Sequence, residues 1–208
     1  MRLQRPLDTR PIAVRPEDLG KPLVWSELFE ADRPVELEIG SGKGTFLAQE
    51  AAARPDVSFF GVEYMAKYAA YMADRLRRNG LLNCRTTSMD AQLLVREHVP
   101  SLSLQAVHIY FPDPWPKKRH HKRRMVSAGF LPELERIVAP GGQLRIVTDH
   151  PEYAEWVAEV LEGATLEPIE YRPPASAREG EMVGTNFERK YTARDGRRFH
   201  PFALMRPA

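Results

Sequence analysis

The sequence predicts an α/β fold, a doubly wound, mostly parallel seven-stranded sheet of Rossmann-like type. Three observations carry that reading. Short apolar runs alternate with segments of helical period along most of the 208 residues, the pattern of β-α-β units. A glycine-rich stretch, Gly40-Ser41-Gly42-Lys43-Gly44, joins one such strand to a helix, a junction whose amides can cradle a nucleotide-like ligand. Finally, Glu38, Glu63, Asp90, Asp113 and Asp149 each fall at or just beyond the carboxyl end of an expected strand. Ligands bind outside those ends in open parallel sheets, so five scattered acids converge on one crevice.

Residues 1–34 read as a proline-rich basic arm with Arg2, Arg5, Arg10 and Arg15, followed by a short helix around Trp25, Leu28 and Phe29. Residues 35–208 form the remaining domain. Its first strand spans 35–39 and its first helix 45–53. The second strand, 57–61, leads to Glu63, about 19 residues beyond the last glycine of the loop, an offset at which an acid holds ribose hydroxyls. A helix over 65–79 carries Met65, Tyr68, Met72 and Leu76 on one face, a stripe expected in the core. The third strand, 84–88, ends at Asp90, which either recognises adenine or caps the helix over 91–98. The fourth, 106–111, delivers Asp113. Ser127 is expected to cap a helix to about residue 138, Pro140-Gly141-Gly142 to turn the chain, and strand five to span 143–148 before Asp149. A helix with Tyr153, Trp156, Val157, Val160 and Leu161 on one face follows, then a strand over 166–171. Residues 172–184 read as a mobile loop, residues 185–190 as the head of a short helix, and 199–205 as the last strand.

Composition narrows the function. The net charge is only +2, but it is segregated: from Met125 to Glu170 there are nine acidic residues against two basic ones, whereas residues 117–124 are almost wholly cationic. Such segregation makes the local positive field that phosphates require. Cys84 is the only cysteine, which removes an internal disulfide and a cysteine zinc cluster. No run approaches the length of a membrane span and residues 1–20 have no signal-like apolar core, so a cytoplasmic protein is expected. Nothing calls for a metal, and with no exposed apolar stripe a monomer is expected, a homodimer being the alternative.

Two stretches carry chemistry. The glycine loop lacks the Gly-Lys-Ser/Thr spacing of a P-loop, which argues against nucleotide hydrolysis. Glu38, directly before it, would repel a pyrophosphate and suit a ligand with a cationic centre or amino group, and S-adenosylmethionine has both. The second stretch is Phe111-Pro112-Asp113-Pro114-Trp115-Pro116, followed by Lys117, Lys118, Arg119, His120, His121, Lys122, Arg123 and Arg124. Proline cannot extend a sheet ladder, so the strand ends and the chain leaves stiffly with one carboxylate and one indole beside a cationic patch. That arrangement suits a nucleobase on a polyanion. Trp115 either stacks on a flipped base or packs beneath the loop.

With Leu37-Glu38-Ile39-Gly40-Ser41-Gly42, Phe111-Pro112-Asp113-Pro114-Trp115 with its basic tail, Thr148-Asp149 and Thr185-Asn186-Phe187-Glu188 in place, the chain resembles the bacterial tRNA (guanine-N7-)-methyltransferase family. The resemblance implies a class I fold and methyl transfer from S-adenosyl-L-methionine to N7 of guanine 46 in the tRNA variable loop. It implies cofactor contacts at Glu38, Gly40, Gly42, Glu63, Asp90 and Asp113, with Asp113 catalytic. It assigns substrate contacts to Lys117, Asp149, Thr185, Asn186, Phe187 and Glu188, and RNA contacts to Arg119, His120, His121, Lys122, Arg123 and Arg124. Two other readings compete. Asp113-Pro114-Trp115-Pro116 is loosely similar to the Asp-Pro-Pro-aromatic loop of amino-group methyltransferases, and a non-catalytic RNA-binding subunit would need only the basic patch. A C5-pyrimidine enzyme would need a catalytic cysteine, and Cys84 lies in strand three.

Overall fold

The computed structural model describes residues 6–208; Arg2 and Arg5 of the basic arm lie outside them. In chain order the elements are α1 (Trp25–Phe29), β1 (Val35–Ile39), α2 (Thr45–Ala53), β2 (Ser58–Val62), α3 (Ala66–Arg78), β3 (Cys84–Thr87), α4 (Ala91–Glu97), β4 (Leu104–Tyr110), α5 (Leu131–Ile137), β5 (Val138–Thr148), α6 (Pro151–Leu161), β6 (Glu167–Pro168), α7 (Asn186–Asp195) and β7 (His200–Met205). The seven strands form one sheet in the order β3-β2-β1-β4-β5-β7-β6. β1 to β5 run parallel, while β7 is antiparallel to both β5 and β6. The chain winds outward from β1 in both directions, so the crevice between β1 and β4 is a topological switch point. Ile39 pairs with both Val62 and Ile109, which brings the carboxyl ends of three strands level.

Covering helices on both faces explain the continuous apolar strands. Phe59 and Phe60 are adjacent, point to opposite faces, and are both fully buried, the signature of a sheet with no wet side. One hydrophobic cluster joins the strands to α1, α4, α5 and α6, the other to α2 and α3. The arm belongs to this packing: Ile12 is fully buried, and residues 12–14 hydrogen-bond along Thr86 and so cover the β3 edge.

Several boundaries differ from expectation. α5 starts at Leu131, without a Ser127 cap, because Pro132 in its first turn sets the start. β5 begins at Val138 and passes through Pro140-Gly141-Gly142 with a register shift against β4. A Cβ on Gly142 would come 2.8 Å from the Leu104 carbonyl oxygen, so this glycine permits close strand approach. The 166–171 strand shrinks to Glu167–Pro168, an edge segment where proline is tolerated. The stripe on α3 is only half core. Met72 and Leu76 are fully buried, while Met65 and Tyr68 are 54% and 41% exposed, because the first turn overhangs the crevice. The 172–184 segment is fastened to the body: the Glu50 carboxylate accepts from the Ala175 and Ser176 amides, Gln49 donates to the Gly184 carbonyl, and Tyr171 donates to that of Met182.

Candidate active site

A cavity of about 780 Å³ opens at the carboxyl ends of β1, β2 and β4, with Gly40, Gly42, Glu63, Asp90, Asp113 and Trp115 in its wall. Gly40 and Gly42 have φ of +76° and +54°, and a Cβ on either would meet nothing within 4 Å. The loop therefore needs glycine for its left-handed backbone, and the space beside its Cα atoms is open, while the Gly40 amide donates to the Val62 carbonyl at 2.9 Å. Glu63 ties the floor together by accepting from the Gly42 amide and the Met65 amide, each at 2.8 Å. Asp90 is exposed and caps α4 by accepting from the Leu93 amide at 3.0 Å. The capping alternative is thus realised at a position that also faces the cavity. Glu38 lies under the glycine loop, 5% exposed, and its Oε2 has no hydrogen-bond partner among the described residues. Burial pushes this carboxyl up to about 8, and the charge of Glu63 adds to the effect.

The loop leaving β4 is strained and braced. Phe111 and Trp115 adopt φ of +52° and +44°, left-handed values that cost an aromatic residue on the order of 1–3 kcal/mol each. Between them Asp113 is exposed and makes no side-chain hydrogen bond among the described residues. The brace is Arg124. Its guanidinium donates to the Pro114 carbonyl and to Glu152, each at 2.9 Å, and it lies 5.2 Å from the Tyr153 ring and 4.9 Å from that of Trp156. At 1% exposure, Arg124 cannot face RNA, which corrects the expectation drawn from the basic run. His121 is half-buried against Trp156. Lys117, Arg119, Lys122 and Arg123 remain exposed along the turn Lys118–Arg123. Arg123 sits 5.0 Å over the Trp115 ring and His120 meets that ring edge-on, so the indole both lines the cavity and carries the cationic turn.

The C-terminal segment and Asp149 do not line the cavity; the segment reaches its wall through the contact of Phe187 with Phe111. Thr185 caps α7 by accepting from the Glu188 amide, and Asn186 is exposed. Phe187 stacks on Phe111 with ring centroids 4.7 Å apart. Glu188 is 3% exposed, and its carboxylate accepts from the amides of Met182, Val183 and Gly184. Direct acceptance from a guanine is therefore replaced by organisation of the 182–184 turn: buried amides need an acceptor more than an exposed base does. Asp149, at the end of β5, is ion-paired with Arg197.

A family model described as "Putative methyltransferase" matches residues 32–200. The tRNA (guanine-N(7)-)-methyltransferase of Halorhodospira halophila is 41% identical over 168 residues, covering 78% of this chain and 71% of that protein. The protein of the same name from Geobacter metallireducens is 36% identical over 176 residues, covering 82% and 83%. The chain belongs to the tRNA (guanine-N7-)-methyltransferase family. Among solved structures, the 16S rRNA methyltransferase KamB superposes with a TM-score of 0.65 at 16% identity, covering 88% of this chain and 93% of that one. A SAM-dependent methyltransferase from Aquifex aeolicus does so with 0.57 at 14%, covering 86% of each. These similarities establish the class I methyltransferase fold.

For a member of the tRNA (guanine-N7-)-methyltransferase family, the carboxylate under the glycine loop has a measurable consequence. Folded Glu38 titrates near 8 against 4.5 for an ordinary glutamate. Between those pH values the unfolded chain releases a proton that the folded chain keeps, so this group lowers stability as pH rises across the window. Glu38→Gln should remove that slope: between pH 5 and pH 8 the unsubstituted chain loses roughly 2–4 kcal/mol more than the variant in urea unfolding. Equal slopes would show that Glu38 is ionised in the folded state. Tyr64, Met65 and Phe111 line the cavity although the sequence placed Met65 in the core and offered Phe111 only as part of the Pro-Asp-Pro-Trp motif.

Proposed function

We propose that this chain transfers the methyl group of S-adenosyl-L-methionine to N7 of guanine 46 in the tRNA variable loop. The observation that carries the reading is an Asp113 carboxylate, without a partner among the described residues, on a braced, strained loop between the cavity and an exposed cationic turn. S-adenosyl-L-methionine, when bound, supplies an electrophilic methyl on a sulfonium. The residues present fit it. The open space beside Gly40 and Gly42 and the carboxylates of Glu63 and Asp90 suit a nucleoside moiety, and the Oε2 of Glu38, without a partner among the described residues, suits an amino or cationic group.

Guanine N7 has a lone pair and no proton, so the protein needs no general base and acts by alignment and electrostatics. Asp113 stabilises the positive charge that develops on the ring. Asp149 accepts from the guanine N1 and N2 edge, and Thr185, Asn186 and Phe187 shape the base pocket. Glu188 contributes by holding the turn that carries them. Lys117, Arg119, His120, Lys122 and Arg123 supply phosphate contacts, which weaken with salt.

The deciding assay is methyl transfer from labelled S-adenosyl-L-methionine to unmodified tRNA, followed by borohydride–aniline cleavage, which breaks the chain at 7-methylguanosine. Cleavage at guanine 46 is the expected result. Incorporation without cleavage would move the acceptor to an exocyclic amino group. tRNA binding without incorporation would leave only an RNA-binding module.

A further inference from the structure

Asp149 is not a free acceptor. Its Oδ2 takes a hydrogen bond from Nη1 of Arg197, whose Nη2 donates to Asp195 at 3.0 Å. The same guanidinium sits over Tyr191, 4.0 Å from the ring centroid. Tyr191 packs against Phe187 with centroids 4.6 Å apart, and Phe187 stacks on Phe111, which lines the cavity. A chain of ring contacts therefore runs from the cavity wall through Phe111, Phe187 and Tyr191 to a guanidinium, and from there to Asp149. The Asp149 side chain is 15% exposed and that of Arg197 32%. The second carboxylate oxygen of Asp149 has no partner among the described residues. The sequence offers no hint of this link, since 48 residues separate the partners.

We propose that Arg197 is a positioning residue for guanine recognition: it holds one oxygen of Asp149 and leaves the other for the N1 and 2-amino edge of the target base. The proposal rests on the function assigned above. A planar guanidinium suits the task because it bridges two carboxylates in one plane while resting on an aromatic face, which a lysine ammonium cannot do. An Asp149 freed from that clamp rotates about its side-chain torsions and loses its fixed geometry, while the cofactor cavity is untouched.

The readout is base discrimination. tRNA is prepared with guanine or with inosine, which lacks the 2-amino group but keeps N7, at the methylated position. The unsubstituted chain should prefer guanine by about 10- to 100-fold in kcat/KM, the worth of one hydrogen bond to a charged acceptor. Arg197→Ala should collapse that preference to within about threefold, with S-adenosyl-L-methionine affinity and thermal midpoint unchanged. Arg197→Lys should recover only part of it. In the Asp149→Asn background, Arg197→Ala should add no further loss, because it acts through that carboxylate. Intact discrimination in Arg197→Ala, or a full additional loss in the Asp149→Asn background, overturns the Arg197 proposal alone. Equal use of guanine and inosine by the unsubstituted chain overturns this inference and leaves N7 transfer standing, whereas absence of N7 methylation overturns the proposed function and this inference with it.

Discussion

Asp113→Asn will lower the single-turnover rate of tRNA methylation by about 100- to 1000-fold, the scale of losing one electrostatic contact aimed at charge that develops only in the transition state. The substitution preserves shape and removes the charge, and Asp113 makes no side-chain hydrogen bond among the described residues that folding would miss. The thermal midpoint should therefore stay put, and cofactor affinity should fall far less than the rate. The measurement is the single-turnover rate at saturating tRNA beside a calorimetric Kd for S-adenosyl-L-methionine. A rate within threefold of the unsubstituted chain would remove Asp113 from the chemistry and move the stabilising role to another carboxylate. Pro112 and Pro114 make this residue informative, because the backbone that presents it is stiff and cannot easily compensate.

Arg124→Ala should cost about 2–4 kcal/mol of stability and abolish methylation, whereas Lys122→Ala should leave stability within about 0.5 kcal/mol. The two residues are two positions apart in the same cationic run, yet Arg124 is 1% exposed and Lys122 is on the surface. The cost for Arg124 combines lost contact with two aromatic rings, a carbonyl of the Asp113 loop left without its donor, and one ion pair. The ion pair counts for little, since the Glu152 side chain is 51% exposed and solvent screens it. Urea unfolding of both variants decides the matter. Equal stability of the two would mean that the Asp113 loop holds its shape without this brace. Loss of activity in a stable Arg124 variant would return the residue to the RNA interface.

Legibility followed the range of the interactions. Strand and helix order depends on apolar periodicity over ten residues or so, and the cavity-lining acids depend on strand ends; both are local, and both could be read in order along the chain. Glu188 shows where that ends. A Thr-x-x-Glu segment at a helix start is legible as a helix head, but the partner of the carboxylate was decided by the 182–184 amides folding back over it. The Met65 and Tyr68 positions fail in the same way, since helical period identifies a face and not what lies opposite it.

The sequence alone determined the doubly wound class I fold, the glycine loop with Glu63, Asp90 and Asp113 around one crevice, and the family, whereas Glu38 is buried beneath the loop and does not line the cavity. Tertiary structure decided which charges are free. Arg124 and Glu188 are spent inside the protein, Asp149 is shared with Arg197, and Asp113 has no partner among the described residues. The physical reason is desolvation: a charged side chain taken out of water must find a partner wherever the fold offers one, and those partners lie far away in sequence or in the backbone itself.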